Sequence, residues 1–194
     1  MSRALFRWVL EKAAHPRAPA WLGGLSFAES SFFPIPPDVL LAPMALARPE
    51  RAWRLAGLTT LASVAGGLVG YLIGALLYEA VAEPLLAFYG AEAEYRRVAD
   101  WFAAYGGWAV FLAGLTPIPY KVFTIGAGSL QMAVVPFLVA SLLGRGLRFF
   151  AITGLIRLGG ERLYREAERW SPAVFWGGVA ALAGLVAYSL LGHG

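Results

Sequence analysis

The chain has 194 residues, a length natural for one domain; 59% of them are hydrophobic and only 14% charged, against about 25% charged in ordinary globular chains. With a mean hydropathy of +0.63 the composition fits an integral membrane protein with some wet segments. The absence of cysteine excludes disulfides, thiolate metal sites and cysteine nucleophiles, and the two histidines, His15 and His193, lie too far apart in the chain to suggest a metal pair. No metal or cofactor is expected. The formal net charge is +4, and all but two of the 16 basic residues are arginine, so their placement along the chain carries the topology. The start lacks the uninterrupted apolar core of a cleavable signal.

Residues 1–17 predict an interfacial amphipathic helix. Arg3, Arg7 and Glu11 fall on one stripe and Phe6, Val9 and Leu10 on another, and prolines at 16 and 19 end it. An ordinary packed terminal helix fits the same pattern. Residues 18–47 are apolar enough to lie at bilayer depth, yet their middle reads Glu29-Ser-Ser-Phe-Phe-Pro34-Ile-Pro36-Pro37-Asp38. Three prolines in four positions cannot continue a helix. Arg3, Arg7, Lys12 and Arg17 precede the segment, and Arg48, Arg51 and Arg54 follow it, so both ends favour the cytoplasmic side. A segment that returns to the side it left is a re-entrant hairpin, and irregular backbone at that depth requires protein or water around it.

Residues 51–79 predict a transmembrane helix, charge-free from 55 to 78, with Gly66, Gly70 and Gly74 on a small stripe that lets another helix approach closely. Residues 83–105 are acidic on balance and show helical spacing of Tyr95, Val98, Trp101, Phe102 and Tyr105, as in an interfacial helix or loop. Residues 106–131 repeat the opening design: Gly114-Leu-Thr116-Pro117-Ile118-Pro119-Tyr120-Lys121 echoes the first proline cluster 83 positions later, since 117 − 34 = 83. The same offset carries the first span onto the next, residues 133–157, which holds Arg145 and Arg148 near its centre. A charged linker helix, 158–171, returns the chain to the cytoplasm, and 172–192 form a last span containing Gly177, Gly178 and Gly184. The predicted fold is an all-α polytopic membrane protein in a single membrane domain: an inverted repeat of re-entrant hairpin plus transmembrane helix, with an extra C-terminal transmembrane helix, the N-terminus cytoplasmic and the C-terminus outside.

Five ionisable residues fall at bilayer depth: Glu29, Asp38, Lys121, Arg145 and Arg148. Each costs on the order of 3 kcal/mol near a helix centre, which makes each a functional candidate. Arg145 and Arg148, three apart, share a helix face. The five charges sum to +1, a balance that suits an anionic head group, and the planar guanidinium fork matches phosphate. Burial favours a protonated carboxylate, so Glu29 and Asp38 are candidates for proton-linked exchange. The competing reading makes them buried structural partners of Arg145, Arg148 or Lys121. Pro34, Pro36, Pro37, Pro117 and Pro119 mark the hairpin breaks. Ser30, Ser31 and Thr116 either bind a head group or cap backbone freed by the breaks, Tyr120 and Gln131 are undecided, and Trp101, Trp108 and Trp170 read as interface anchors. Enzyme signatures are missing: there is no His-Glu-x-x-His, no Gly-x-Ser-x-Gly and no Walker-type loop, and Gly126-Ala-Gly128-Ser129 has no base partner. An enzyme is not expected.

The segments Glu29-x-x-Phe-Phe-Pro-Ile-Pro-Pro-Asp38, Thr116-Pro-Ile-Pro119 with Ala127-Gly128 after it, and Gly144-Arg-Gly-Leu-Arg148-Phe together resemble the DedA superfamily, or VTT-domain proteins, in its YqaA-like branch. The resemblance covers about residues 26–158. It implies two opposed re-entrant hairpins in a bacterial inner-membrane protein that translocates or scrambles lipid, with undecaprenyl phosphate and phospholipids as substrates, and transport linked to the proton gradient. It also implies an essential acidic pair, which Glu29 and Asp38 match, and essential arginines. Where many members carry arginines around the second proline motif, this chain has Gly114 and Tyr120, with Lys121 one place later. The expected partners are membrane lipids with an anionic head group, and a second copy through glycine-rich helix faces; no nucleic acid is expected. The alternatives are a non-transporting membrane protein whose buried charges are structural and, less favoured, an ion or small-solute channel.

Overall fold

A computed structural model describes residues 15–33, 35–78, 92–116 and 118–169, with single positions elsewhere. The expected amphipathic helix before residue 15, the last span, and Pro34 and Pro117 lie outside the described residues. Among the described residues every regular element is helical: α1 (Ala18–Ser31), α2 (Asp38–Ala47), a short 3-10 turn (Pro49–Arg51), α3 (Ala52–Leu77), α4 (Glu92–Leu115), α5 (Tyr120–Ser129) and α6 (Val134–Arg169). Three stretches are long and apolar enough to cross a bilayer: Pro49–Leu77, Tyr95–Leu115 and Val134–Gly160. Neither arm of the first proline segment qualifies. At 1.5 Å per residue, the 14 residues of α1 reach about 21 Å and the 10 of α2 about 15 Å, short of the ~30 Å hydrocarbon core.

The sequence division at 105/106 does not appear as a break, since α4 runs through it from Glu92 to Leu115. Gly106 and Gly107 lie inside this helix, and the Phe102 ring covers Gly106, filling the space a side chain would need. Helix α6 also joins two expected elements, but Gly160, at φ 59 and ψ −155, breaks its helical path between span and basic stretch. Glycine has no Cβ to oppose that conformation.

The main packing pairs are α1 on α3, α4 on α6, α5 on α3, α2 on α6, and α3 on α6. Exchanging α1 with α4, α2 with α5 and α3 with α6 maps this set onto itself, so the 83-residue echo in sequence is also an echo in packing. Because each half lends its short second arm to the long helix of the other half, the halves interlock.

Small and hydroxyl residues make these contacts close. Ser26 Oγ donates to the Thr59 carbonyl at 2.8 Å, Ser30 and Ser63 share a hydroxyl hydrogen bond at 2.7 Å, and Ser31 Oγ donates to the Gly66 carbonyl at 2.9 Å. Polar contacts of this kind hold helices together where lipid removes the hydrophobic advantage of association. A Cβ on Gly66 would meet the Phe27 backbone, and one on Gly74 the Ile125 backbone, so α3 receives α1 and α5 at backbone contact. The stripe predicted from sequence is thus occupied within the chain.

Two larger apolar clusters result. One joins Tyr71 of α3 to Val110 and Ala113 of α4, Tyr120 and Ala127 of α5, and Phe137 and Ala140 of α6. The other joins Ala18 and Leu22 of α1, Leu41 and Met44 of α2, Leu55 and Ala56 of α3, and Phe149 of α6. Along α6 the residues between Ala140 and Phe149 include Arg145 and Arg148. The charged layer therefore separates two apolar cores.

Candidate functional site

Each break turns a helix end toward this layer. Helix α1 stops when Phe32 and Phe33 both donate their N–H groups to the Ala28 carbonyl, at 2.9 and 2.8 Å. Pro37 is buried as the N-cap of α2, Pro36 is exposed, and Asp38 is the first residue of α2, where a carboxylate is favoured by the helix dipole. In the second half, α4 ends at Leu115, and the exposed Pro119 caps α5.

Arg145 is the hub. Its side chain is 3% exposed and donates from Nη2 to Glu29 Oε2 at 2.6 Å and from Nε to Ser63 Oγ at 2.5 Å. Ser30 Oγ donates to Glu29 Oε2 at 3.1 Å. A hydroxyl carries one proton, so with Ser30 donating to Glu29, the Ser30–Ser63 bond must be donated by Ser63. The result is a closed circuit in which Arg145 donates to Ser63, Ser63 to Ser30, and Ser30 and Arg145 both to Glu29. The guanidinium plane is enclosed by rings, 4.9 Å from the Tyr120 centroid and 4.7 Å from that of Phe149.

Arg148, one turn on, holds the second pair. Its Nη2 donates to Asp38 Oδ2 at 2.5 Å, and its Nη1 to the Thr116 carbonyl at 2.5 Å. One guanidinium thereby joins the start of α2 to the end of α4, that is, the two proline breaks. The pair is wetter than the first, with side-chain exposures of 16% for Arg148 and 18% for Asp38, against 3% and 13% for Arg145 and Glu29. Among the described residues Asp38 Oδ1 is buried with no hydrogen-bond partner. The carboxylate is therefore only half used by the protein, an uncommon state for a buried acceptor.

Lys121 also bridges the breaks: its Nζ donates to the Phe33 carbonyl at 3.3 Å, satisfying an end group of α1 from α5. Neither ion pair seen among the described residues includes it. All five ionisable candidates thus meet in one region, contributed by α1, α2, α5 and α6. Of the undecided residues, Ser30 belongs to the Arg145 circuit, whereas Ser31 and Thr116 bond backbone through their hydroxyls, to Phe27 and Gly66 and to Leu112. Tyr120 is fully buried under Arg145. Gln131 adopts φ 53 just past α5, where Met132 donates back to the Ala127 carbonyl at 2.9 Å in the pattern of a helix C-terminal cap. Its role there is in the turn.

Ser63 is the site residue that sequence reasoning missed. Its signal was present: Thr59 and Ser63, four apart in a charge-free span, repeat the spacing of Ser26 and Ser30. Chemically, the region holds two carboxylates on one arginine-bearing helix face, and phosphate oxygens make the same charge-assisted bonds to guanidinium as carboxylate oxygens do.

Similarity to known proteins agrees with this architecture. The VTT domain model matches residues 35–158. An uncharacterized protein of Haemophilus influenzae is 40% identical over 182 residues, 94% of this chain and 93% of that one. Another uncharacterized protein, from Histophilus somni, is 35% identical over 187 residues, 96% of each chain. Undecaprenyl phosphate transporter A of Staphylococcus aureus is 37% identical over 110 residues, 53% of this chain and 51% of that one. No solved structure matches. The domain match holds Asp38, Lys121, Arg145 and Arg148, with Glu29 just ahead of it, and the chain, an all-α polytopic membrane protein, belongs to the VTT-domain family of the DedA superfamily.

Proposed function

We propose that this protein moves a phosphate-bearing anionic lipid, such as undecaprenyl phosphate or a phospholipid, between the leaflets of the bacterial inner membrane. The observation that carries this reading is the pair of arginine–carboxylate bridges at the junction of both proline breaks, in mid-span of α6. Similarity over about half of each chain to a protein named for undecaprenyl phosphate transport supports the substrate class.

Asp38–Arg148 is the pair we assign to exchange. It is the more exposed, its carboxylate has an unused oxygen, and Arg148 reaches both breaks. Proton uptake by Asp38 would release Arg148 to an arriving phosphate, and proton loss would return the carboxylate to the guanidinium and expel the lipid. In the lipid-bound state one anion has replaced another at the same cation, so the buried charge balance equals that of the resting pair. Lys121 supplies a further positive charge to the approach. The Glu29–Arg145 circuit, closed and dry, acts as the fixed post around which the exchange occurs; its completeness favours a structural role for that pair.

In this reading the two proline segments are re-entrant hairpins entering from opposite faces, with the N-terminus cytoplasmic and the C-terminus outside. His15 and Pro19 at the start of the first segment share a cavity with Met44 and Arg48 at its end, which supports a chain that returns to the face it left.

The test is lipid flip in liposomes containing purified protein, with labelled undecaprenyl phosphate or phosphatidylglycerol as substrate. Wild type exceeds protein-free liposomes, while Asp38→Asn and Arg148→Gln fall to background at normal folded yield. Wild-type flip no faster than background would overturn the proposal.

A further inference from the structure

The two short arms, α2 and α5, hold equivalent places in the halves but are fastened differently. At the 83-residue offset Asp38 corresponds to Lys121, Leu41 to Thr124, Ala45 to Gly128 and Leu46 to Ser129. In α5 each of these positions ties the arm down. Lys121 Nζ donates to the Phe33 carbonyl at 3.3 Å, Thr124 Oγ1 to the Ser30 carbonyl at 3.4 Å and Ser129 Oγ to the Gly74 carbonyl at 3.0 Å. A Cβ on Gly128 would meet the Tyr71 carbonyl, so this arm lies on α3 at backbone contact.

Helix α2 reads Asp-Val-Leu-Leu-Ala-Pro-Met-Ala-Leu-Ala. It has no glycine, and Asp38 is its only side chain that carries oxygen or nitrogen. Its side chains can therefore make a polar tie only through Asp38, which bonds Arg148. The rest of the packing is apolar: Leu41 and Met44 join the cluster with Phe149, and Ala42 and Ala45 a smaller one with Ala52 and Ile156. In a bilayer such contacts hold by fit alone, because a side chain that leaves them meets acyl chains of the same polarity. The helix also has a weak point. Pro43 lies inside it, offers no N–H to the Val39 carbonyl, and crowds that carbonyl with its ring. The Val39 side chain is 51% exposed, so this turn forms part of the protein's outer surface.

We infer that residues 38–42 of α2 form a gate, hinged at Pro43 and latched by the Asp38–Arg148 bridge, while α1, α3, α5 and α6 stay in place. Breaking the bridge removes the one polar tie of the arm, and the first turns of α2 swing outward. Five residues of helix separate Asp38 from the hinge, about 7.5 Å, so a further bend of ~30° at the proline carries Asp38 about 4 Å. Met44 and Ala45, beyond the hinge, keep their contacts. Arg148, still held by the Thr116 carbonyl, is then open on the side that Asp38 has left. The gate gives the proposed Asp38–Arg148 exchange its moving part and rests on that reading for its use, but the motion itself needs no lipid. The corresponding arm of the second half does not move, because hydroxyls, Lys121 and a glycine contact hold it.

The chain has no cysteine, so spin labels attach only where one is introduced. The test is pulsed electron paramagnetic resonance on the full chain in lipid nanodiscs, labelled at Val39→Cys and Leu158→Cys, both exposed positions. With the bridge intact one distance is expected; Asp38→Asn should add a second component displaced by about 4 Å, on the lever estimated above. Arg148→Gln, which breaks the bridge from α6, should add the same component. Labels at Val122→Cys and Leu158→Cys, where 122 − 39 = 83, should report an unchanged distance in every background. Adding Pro43→Ala to Asp38→Asn restores a donor to the Val39 carbonyl and should lower the displaced fraction at least about twofold. An unchanged Val39 distance in both bridge variants at wild-type helicity overturns the gate, as does an equal shift at Val122; a displaced fraction indifferent to Pro43→Ala overturns the hinge. Flip measured on the same proteins separates the two proposals. Displacement in the bridge variants with no flip by wild type keeps the gate and overturns transport, whereas flip lost in Asp38→Asn with Val39 static keeps transport and overturns the gate.

Discussion

Helices α3 and α6 hold equivalent places in the two halves yet divide the work unequally. Between residues 55 and 78 the first has no charged side chain; its buried face is hydroxyl and glycine, with Thr59 and Thr60 turned back onto the carbonyls of Leu55 and Ala56. It is a surface for close approach, contacted at backbone distance by α1 through Gly66 and by α5 through Gly74. The second takes one close contact of this kind, at Gly144 against the Phe111 backbone, and directly beyond it presents Arg145 and Arg148. One span packs and the other carries charge. The difference teaches that a repeat can keep its packing plan while concentrating its costly residues in one copy, provided the other copy supplies the partners: Glu29 and Asp38 sit on the short arms of the first half, and Ser63 sits in α3 itself.

Five single substitutions and one double variant break or sharpen that contrast. The largest effect is expected for Glu29→Ala, which strands a buried guanidinium and should destabilise by about 3–5 kcal/mol in thermal unfolding of the detergent-solubilised protein. The double variant Glu29→Leu/Arg145→Met should recover most of that loss; failure to recover would show that the pair does more than neutralise charge. Next, Gly66→Ala should cost about 1–3 kcal/mol, because its Cβ meets the Phe27 backbone, whereas Gly107→Ala, with nothing within 4 Å, should leave stability unchanged or slightly raised. Equal effects at the two glycines would remove the special role given to α3. Ser63→Ala opens the Arg145 circuit where the two spans meet and should cost on the order of 1–3 kcal/mol, since it leaves Nε without an acceptor. The smallest change is expected at the edge of the second half: Gln131→Gly should stabilise by about 1 kcal/mol, as the left-handed conformation at φ 53 is costly for a side chain.

Much of this arrangement was legible in the sequence because the bilayer forbids charge and proline without cause. Glu29, Asp38, Lys121, Arg145 and Arg148 were conspicuous in apolar surroundings, and the 83-residue echo foretold the equivalence of α3 and α6. Their pairing was not legible. Glu29 finds Arg145 116 positions away and Asp38 finds Arg148 110 away, a choice settled by how the short arms cross between halves. Nor did the sequence separate Ser30, which serves the charge circuit, from Ser31, which serves backbone; neighbours in sequence face different partners on a helix. The continuity of α4 through Gly106 and Gly107 was not legible either; the Phe102 ring one turn earlier covers Gly106 and fills the space its missing side chain leaves.

The closed circuit at Arg145 also bears on how the chain is made. Glu29 and Asp38 leave the ribosome more than a hundred residues before their countercharges, so the first half reaches the membrane with two carboxylates whose partners do not yet exist. The ion pairs that tie residues 18–47 to α6 can form only after α6 has been synthesised. A chain truncated before Arg145 would thus lack both guanidinium partners of its two carboxylates.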